Sequence, residues 1–380
     1  MRGPGHGAGA ETGRPIKAAL DALPLAGRQA GVGGFTAHLA EALVQRDDVS
    51  LLMYAIGRRA AAVGEHLPKG ALLRTRSLPT RLVNLGWQYT RLPSVERLTG
   101  PVDVVHGTNY VVPPTRRAAS VVTVHDLTAL RFPALCAPAS LTYPALVRKA
   151  IARGAFVHTP SRFVAEEVIE MLDAEPERVR VIPHGLVPAA DGLGVESPVA
   201  SPYILAVGTV EPRKDYPTLV TAFDELAAGQ PELRLVIAGA DGWGTKALES
   251  VLADLRSRDR VIRLGYVDGP TRASLLRHAC VLAYPSVYEG FGLPPLEAMA
   301  AGIPVVTSDG GAIPEVVGDA ALVVPAGDAT ALAMALRKVM DEPGLREGLI
   351  RRGHELVLDR PWSDAGAEMA RLYRDAWSAR

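Results

Sequence analysis

Two carboxylates bracket a glycine loop in Ser286–Val324, which reads SVYEGFGLPPLEAMAAGIPVVTSDGGAIPEVVGDAALVV. Glu289 stands just before the loop and Glu297 just after it. Between them Gly290 and Gly292 allow close backbone approach, and Pro294 and Pro295 sit where prolines suit a helix start. Unpaired N–H groups at such a start favour an anion such as phosphate. The two acids then flank an anion site without occupying it, and carboxylates suit the hydroxyls of a sugar or ribose. Taken singly, each has a plainer reading: Glu289 as a turn residue, and Glu297, placed in the first helical turn, as a capping acid.

A second cluster is AVGTVEPRKDYPTLVTAF, Ala206–Phe223. A buried strand ends at Gly208, and Arg213 and Lys214 follow in the loop before a helix. Arg as a planar fork and Lys as a point charge can together neutralise a diphosphate. An isolated Arg-Lys pair is otherwise a solvated loop.

These loops need strands and helices to hold them. Short, continuous apolar runs alternate with helical patterns from Ile16 onward. The expected strands are Ile16–Leu20, Val102–His106, Val121–Val124, Phe156–Thr159 and Val179–Ile182, then Tyr203–Val207, Leu233–Ala238, Val261–Leu264, Val281–Tyr284, Pro304–Thr307 and Ala321–Val324. Continuous rather than alternating runs fit parallel strands covered on both faces. Helical patterns over Pro217–Ala228, Thr245–Ser257 and Thr271–His278 complete strand–helix units. Leu186–Pro202 (LVPAADGLGVESPVASP) has no apolar period and reads as a linker. The expectation is α/β: two doubly wound Rossmann-like domains, 15–184 and 203–361, facing across a cleft, joined by a linker at 185–202. Residues 1–14 form a tail without order, and 362–380 form a last helix that could cross back to the first domain.

Composition narrows the classes. The 380 residues carry equal numbers of acidic and basic side chains, which gives no bulk reason to expect nucleic acid as a partner. Cys136 and Cys280 are far apart, so a disulfide framework is not expected and a reducing cytoplasm is the expected compartment. No apolar run is long enough to span a bilayer, and the Gly-rich first residues do not read as a signal peptide. Between Arg58 and Arg117 ten basic residues (Arg58, Arg59, Lys69, Arg74, Arg76, Arg81, Arg91, Arg97, Arg116, Arg117) face only Glu65, Glu96 and Asp103. That stretch is either a solvated face or a surface turned to an anionic acceptor or acidic leaflet, which would set a cytoplasmic protein peripherally at the inner membrane face.

The clusters together resemble the retaining glycosyltransferases of the GT-B fold, often numbered family 4. The family's hallmark of Glu, seven residues, Glu is met by Glu289 and Glu297, and further matches are GVGGFTAHL (Gly31–Leu39), DVVHGTNYVVPP (Asp103–Pro114), VVTVHDLTALRFP (Val121–Pro133), GTVEPRKD (Gly208–Asp215) and LVIAGADGWG (Leu235–Gly244). The resemblance implies that Glu289 contacts the donor sugar, Glu297 the nucleotide ribose, and Lys214 with Arg213 the diphosphate. Backbone N–H groups of Gly290, Phe291, Gly292 and Leu293 would support sugar and phosphate. His125 would reach the donor sugar from the first domain, the loop containing Gly33 and Gly34 would close over the phosphates, and Val267 and Asp268 would lie near the base. Two departures stand out: Thr209 and Gly34 occupy positions where relatives often carry arginine.

The implied reaction is a retaining, metal-independent transfer of a hexose from a nucleotide diphosphate sugar to a hydroxyl acceptor of unknown identity. No metal site and no cofactor are expected: there is no Asp-x-Asp pair, and Arg213, Lys214 and helix-start N–H groups would do the ion's electrostatic work. The GTVEPRKD and VVTVHDLTALRFP stretches lean toward mannose from GDP-mannose, with UDP-glucose or UDP-N-acetylglucosamine as the alternative donor. A non-catalytic nucleotide-sugar binding protein is a further alternative. A nicotinamide dehydrogenase rests only on Gly31-Val32-Gly33-Gly34, short of the full fingerprint. A glycoside hydrolase fits poorly, since its acids flank a glycosidic bond rather than an anion site. His106 could touch an acceptor or be structural, His158 and His184 read as structural, and Trp87 with Tyr89 as packing or an acceptor platform.

Overall fold

The computed structural model describes residues 14–27, 31–79, 83, 85–87, 90, 93–187 and 195–380. Residues 1–13 of the expected tail, 188–194 of the expected linker, and Arg81, Tyr89 and Arg91 lie outside the described residues.

Two parallel sheets are built. The first has the order β3-β2-β1-β4-β5-β6-β7, from β1 (Ile16–Asp21), β2 (Val49–Ile56), β3 (Leu72–Arg76), β4 (Val104–Gly107), β5 (Ala119–Thr123), β6 (Phe156–Thr159) and β7 (Val179–Val181). The second runs β10-β9-β8-β11-β12-β13, from β8 (Tyr203–Val207), β9 (Arg234–Ala238), β10 (Val261–Gly265), β11 (Val281–Tyr284), β12 (Val305–Ser308) and β13 (Leu322–Val324). The chain order reverses between β1 and β4 in one sheet and between β8 and β11 in the other. Such switch points open a crevice at the strands' carboxyl ends, where ligands bind in folds of this class.

Each expected strand forms, with ends shifted by no more than two residues. β8 shows why continuous apolar runs mean two covered faces. Tyr203, Leu205 and Val207 enter one core while Ile204 and Ala206 enter the other. β2 and β3 lie outside the sequence expectation. β2 is apolar but separated from the preceding helix, Val32–Val44, by only four residues, so the two patterns run together. β3, Leu-Leu-Arg-Thr-Arg at the sheet edge, is mostly exposed and carries no buried stripe. The helix Thr245–Ala253 stops short of Ser257, whose N–H and hydroxyl instead donate to the Asp224 carboxylate.

The last helix, Trp362–Ser378, packs on the first sheet rather than the second. Met369, Ala370, Tyr373 and Ala376 share a core with Phe35, Leu39 and Ala18. Gly366 permits the approach, because a Cβ there would lie 2.8 Å from that of Ala42. The chain thus passes between the sheets twice. The passages run side by side, with Leu186 N–H donating to the Arg360 carbonyl at 2.7 Å. No described helix is long and apolar enough to cross a membrane.

A buried polar ladder stitches this helix to the sheet. His106 Nδ1 meets the Tyr373 hydroxyl at 2.7 Å and its Nε2 meets Thr123 Oγ1 at 2.7 Å. Thr123 Oγ1 also meets His158 Nδ1 at 2.9 Å, and His158 Nε2 donates to the Ile182 carbonyl at 2.9 Å. His106 is therefore structural. Burial holds both imidazoles below their ordinary value, His158 down to about 4.

This ladder makes stability pH-dependent. The unfolded chain protonates these histidines below about 6.5, whereas the folded chain keeps His158 neutral to about 4. Unfolding therefore takes up protons, and stability present above pH 6.5 is lost as pH falls toward 4, by up to ~3 kcal/mol for His158 alone. Melting temperature is expected to drop between pH 7 and pH 5, with a flatter profile in His158→Gln; identical profiles for the two proteins would refute the assignment.

Candidate functional site

At the switch of the second sheet the loops after β8 and β11 come together. After Gly208 the chain makes a short turn, Pro212–Lys214, and Asp215 then caps the helix Tyr216–Ala227 by accepting from Thr218 N–H. The loop after β11 is tied to this turn by Val287 N–H donating to the Arg213 carbonyl at 2.8 Å. Glu289 is thereby set between the two cations. Its Oε2 lies 2.6 Å from Arg213 Nη1 and its Oε1 lies 2.6 Å from Lys214 Nζ. Lys214 also donates to the Tyr284 hydroxyl at 2.6 Å, and Arg213 donates to the Tyr288 carbonyl at 2.9 Å.

The cluster is largely buried, with Lys214 and Glu289 exposed by only 8% and 7%. Burial alone would push the Glu289 carboxyl up, but Arg213 and Lys214 outweigh it and hold it well below the usual range. Glu289 is therefore an anion shared by both cations, which leaves the trio with one net positive charge. Arg213 also sits 3.6 Å from Glu211, whose carboxyl is pushed up by burial and only partly relieved by the cations.

The glycine loop and the helix start follow. Gly292, at φ 94°, caps the helix Leu293–Ala300. Pro294 and Pro295 have no N–H, so the free donors are confined to the loop and Leu293. Glu297 is the fifth residue of this helix, one turn deeper than its expected place in the first turn. It pairs with Arg272.

Gly290 is where the other domain makes contact. A Cβ there would fall 1.7 Å from the His125 carbonyl oxygen, so only glycine allows the approach. The Gly290 carbonyl accepts from Ser161 Oγ at 2.8 Å. Close by, the Tyr288 hydroxyl accepts from Leu127 N–H at 3.0 Å and donates to Glu167. Glu315 accepts from the N–H groups of Arg162 and Phe163, both at 2.9 Å, capping a first-domain helix from the second domain.

The cleft so enclosed is about 420 Å³, and its walls include His125, Arg213, Lys214, Glu289, Glu297 and the stretch Gly290–Leu293. These sequence-predicted residues are brought together. His125 donates from Nε2 to the Thr108 carbonyl at 2.9 Å, which leaves Nδ1 as an acceptor. Burial keeps the ring neutral by lowering its pKa.

Four expected residues are not at the cleft wall. Gly33 and Gly34 lie inside the first turn of Val32–Val44, and the wall there is made by Gly31, Val32 and Phe35. Val267 packs against the second sheet's core, and Asp268 caps the helix Gly269–His278 by accepting from Thr271 N–H at 2.9 Å. From that helix it is Arg272 that reaches the cleft. The sequence reading missed it because its signal, a lone arginine in a helix, is that of any exposed cation. His184, read as structural, also lines the cleft; its ring stacks on Trp362 at 5.9 Å and its buried Nδ1 has no partner among the described residues.

With this geometry in place, comparison with known proteins is decisive. Residues 30–189 match Glycosyltransferase Family 4 and residues 195–356 match Glycosyl transferases group 1. The chain belongs to the family 4 glycosyltransferases. It is 29% identical over 284 residues to the O-antigen chain mannosyltransferase B of Escherichia coli, covering 71% of this chain and 74% of that protein. It is 37% identical over 166 residues to a phosphatidyl-myo-inositol mannosyltransferase of Mycolicibacterium smegmatis, covering 43% of this chain and 42% of the relative. In fold it is similar to the sucrose-phosphate synthase of Thermosynechococcus elongatus, with a TM-score of 0.73 at 22% identity, covering 96% of this chain and all of that one. The two facing sheets are thus those of a GT-B glycosyltransferase.

Removing the charge of Glu289 would leave Arg213 and Lys214 buried without their anion. Glu289→Gln is expected to cost about 3–5 kcal/mol in denaturant unfolding, the range for breaking a buried pair from one side. A loss under ~1 kcal/mol, the range of exposed pairs, would mean that the cluster is open to water.

Proposed function

We propose that this glycosyltransferase moves a hexose, by preference mannose from GDP-mannose, to a hydroxyl acceptor with retention of anomeric configuration. The observation that carries the reading is the buried cluster of Glu289, Arg213 and Lys214 that lines one cleft with Gly290–Leu293 and His125. In this assignment the diphosphate draws Arg213 and Lys214 toward itself and sits against the loop N–H groups, where cations and oriented donors stabilise the departing nucleotide. Glu289 and His125 Nδ1 accept from the sugar hydroxyls. Glu297, held by Arg272, takes the ribose hydroxyls. No metal or cofactor enters the scheme.

The acceptor oxygen bonds to the anomeric carbon as the bond to the diphosphate breaks, and its proton passes to the departing phosphate oxygen. Attack from the leaving-group face accounts for retention and needs no enzyme nucleophile. The two mannosyltransferase relatives support mannose as the sugar. The protein works in the cytoplasm in this reading. Exposed arginines such as Arg58, Arg59, Arg74 and Arg76 would allow contact with an acidic leaflet at the inner membrane face.

Thermal unfolding with GDP, UDP, ADP and NAD at equal concentration tests the donor. A ligand near a hundred times its Kd adds ~2.7 kcal/mol to the folded state. GDP is expected to give the largest rise in melting temperature. A larger rise with UDP would transfer the assignment to a UDP-sugar, and no rise with any diphosphate would overturn it.

The role of Lys214 is tested separately. Lys214→Ala is expected to weaken GDP binding at least tenfold, the worth of one charge-assisted contact, while guanosine binding changes little. Equal weakening of both ligands by calorimetry would show that Lys214 is not the diphosphate partner.

A further inference from the structure

The donor cleft does not end at Arg213. It shares Arg213, Asp126, Glu211 and Val32 with a second chamber of about 250 Å³. That chamber shares Tyr143 with a third, of about 230 Å³, at the carboxyl ends of β1 and β2. The three chambers adjoin in sequence from the donor outward. Each outer one is smaller than the 300–1,000 Å³ typical of sites for drug-sized ligands, a size suited to one ring rather than a nucleotide.

The third chamber has the chemistry of a carbohydrate site. Trp87 and Tyr143 supply aromatic faces, and Asp21, Tyr54 and Asn109 supply polar groups. Tyr54 is 2% exposed, and its buried hydroxyl has no partner among the described residues. A buried, unpaired hydroxyl costs free energy unless a ligand satisfies it. Asp21 accepts from Leu23 N–H at 3.0 Å through Oδ1. Burial raises its carboxyl to about 7, so near neutral pH it can both donate and accept. No arginine or lysine is among its described lining residues, so the chamber offers a phosphate no counter-charge.

The wall between chambers is held under strain. Tyr110 has φ 58°, a region bulky residues rarely adopt, and its ring stacks on Tyr143 with centroids 4.8 Å apart. Its hydroxyl accepts from Asp126 N–H at 3.1 Å, so the same residue touches the segment that borders the donor.

We propose that the chamber between Asp21, Tyr54 and Trp87 is a second sugar subsite, which binds an inner ring of a neutral oligosaccharide acceptor whose terminal hydroxyl lies at the donor cleft. The acceptor therefore spans all three chambers, and the enzyme extends chains rather than capping single sugars. The inference rests on the proposed placement of the donor against Arg213 and Lys214.

The test measures binding to the full-length protein with GDP present, by saturation-transfer NMR titration. The probes are mannotriose, maltotriose and cellotriose, the methyl glycosides of mannose and glucose, and glucose 6-phosphate. At least one trisaccharide is expected to bind about tenfold more tightly than its methyl glycoside, the worth of one or two satisfied hydrogen bonds. Tyr54→Phe, which removes only the unpaired hydroxyl, is expected to cut that ratio below about threefold while the GDP-induced rise in melting temperature stays. Three results overturn the proposal: no trisaccharide preferred over its monosaccharide, a preference unchanged in Tyr54→Phe, or glucose 6-phosphate binding most tightly. Absence of the GDP effect in the unsubstituted protein would instead count against the donor assignment.

Discussion

Arg213 and Lys214 come from the loop after β8, and the one carboxylate that pairs with both comes from the loop after β11. In the low dielectric behind Tyr284 neither charge sign could persist alone. The pairing therefore fixes how the two loops sit against each other. It also explains the hydrogen bonds that tie them, Val287 to the Arg213 carbonyl and Arg213 to the Tyr288 carbonyl. The glycine cradle is positioned by the same constraint, because Glu289 is its immediate neighbour in sequence. An electrostatic necessity thus sets the geometry of the glycine loop.

The other domain contributes shape more than charge at this point. Gly290 lies against the His125 carbonyl, Ser161 holds the Gly290 carbonyl, and Tyr288 reaches Glu167 and Leu127. These contacts all involve the loop that carries Glu289. The loop that places the cluster's carboxylate is thus also the loop on which the first domain rests.

Much of this was legible in the amino-acid sequence. Continuous apolar runs announced the buried parallel strands, and the loops bearing Arg213, Lys214, Glu289 and Gly290 were visible as loops at strand ends. What could not be read was which side chains meet across the chain. Glu289 pairing with both cations, and Glu297 with Arg272, depend on contacts between separate loops and helices that no local spacing encodes. Val267 and Asp268 were placed near the base by resemblance, yet their local tasks are packing and capping, while the arginine a turn further on faces the cleft. Gly33 and Gly34 fell inside a helix that uses neighbouring Gly31 and Val32 as wall. β3 escaped because an exposed edge strand has no hydrophobic period to betray it.

The helix Trp362–Ser378 fills the first sheet's core with Met369, Ala370 and Tyr373, although the whole second sheet lies between them in the chain. Without that helix the apolar face of the first sheet that it covers would lie open to water. The second sheet is complete by β13, ahead of that helix in the chain. A break in the chain just before Trp362 would therefore strip core from the first sheet while leaving every strand of the second in place.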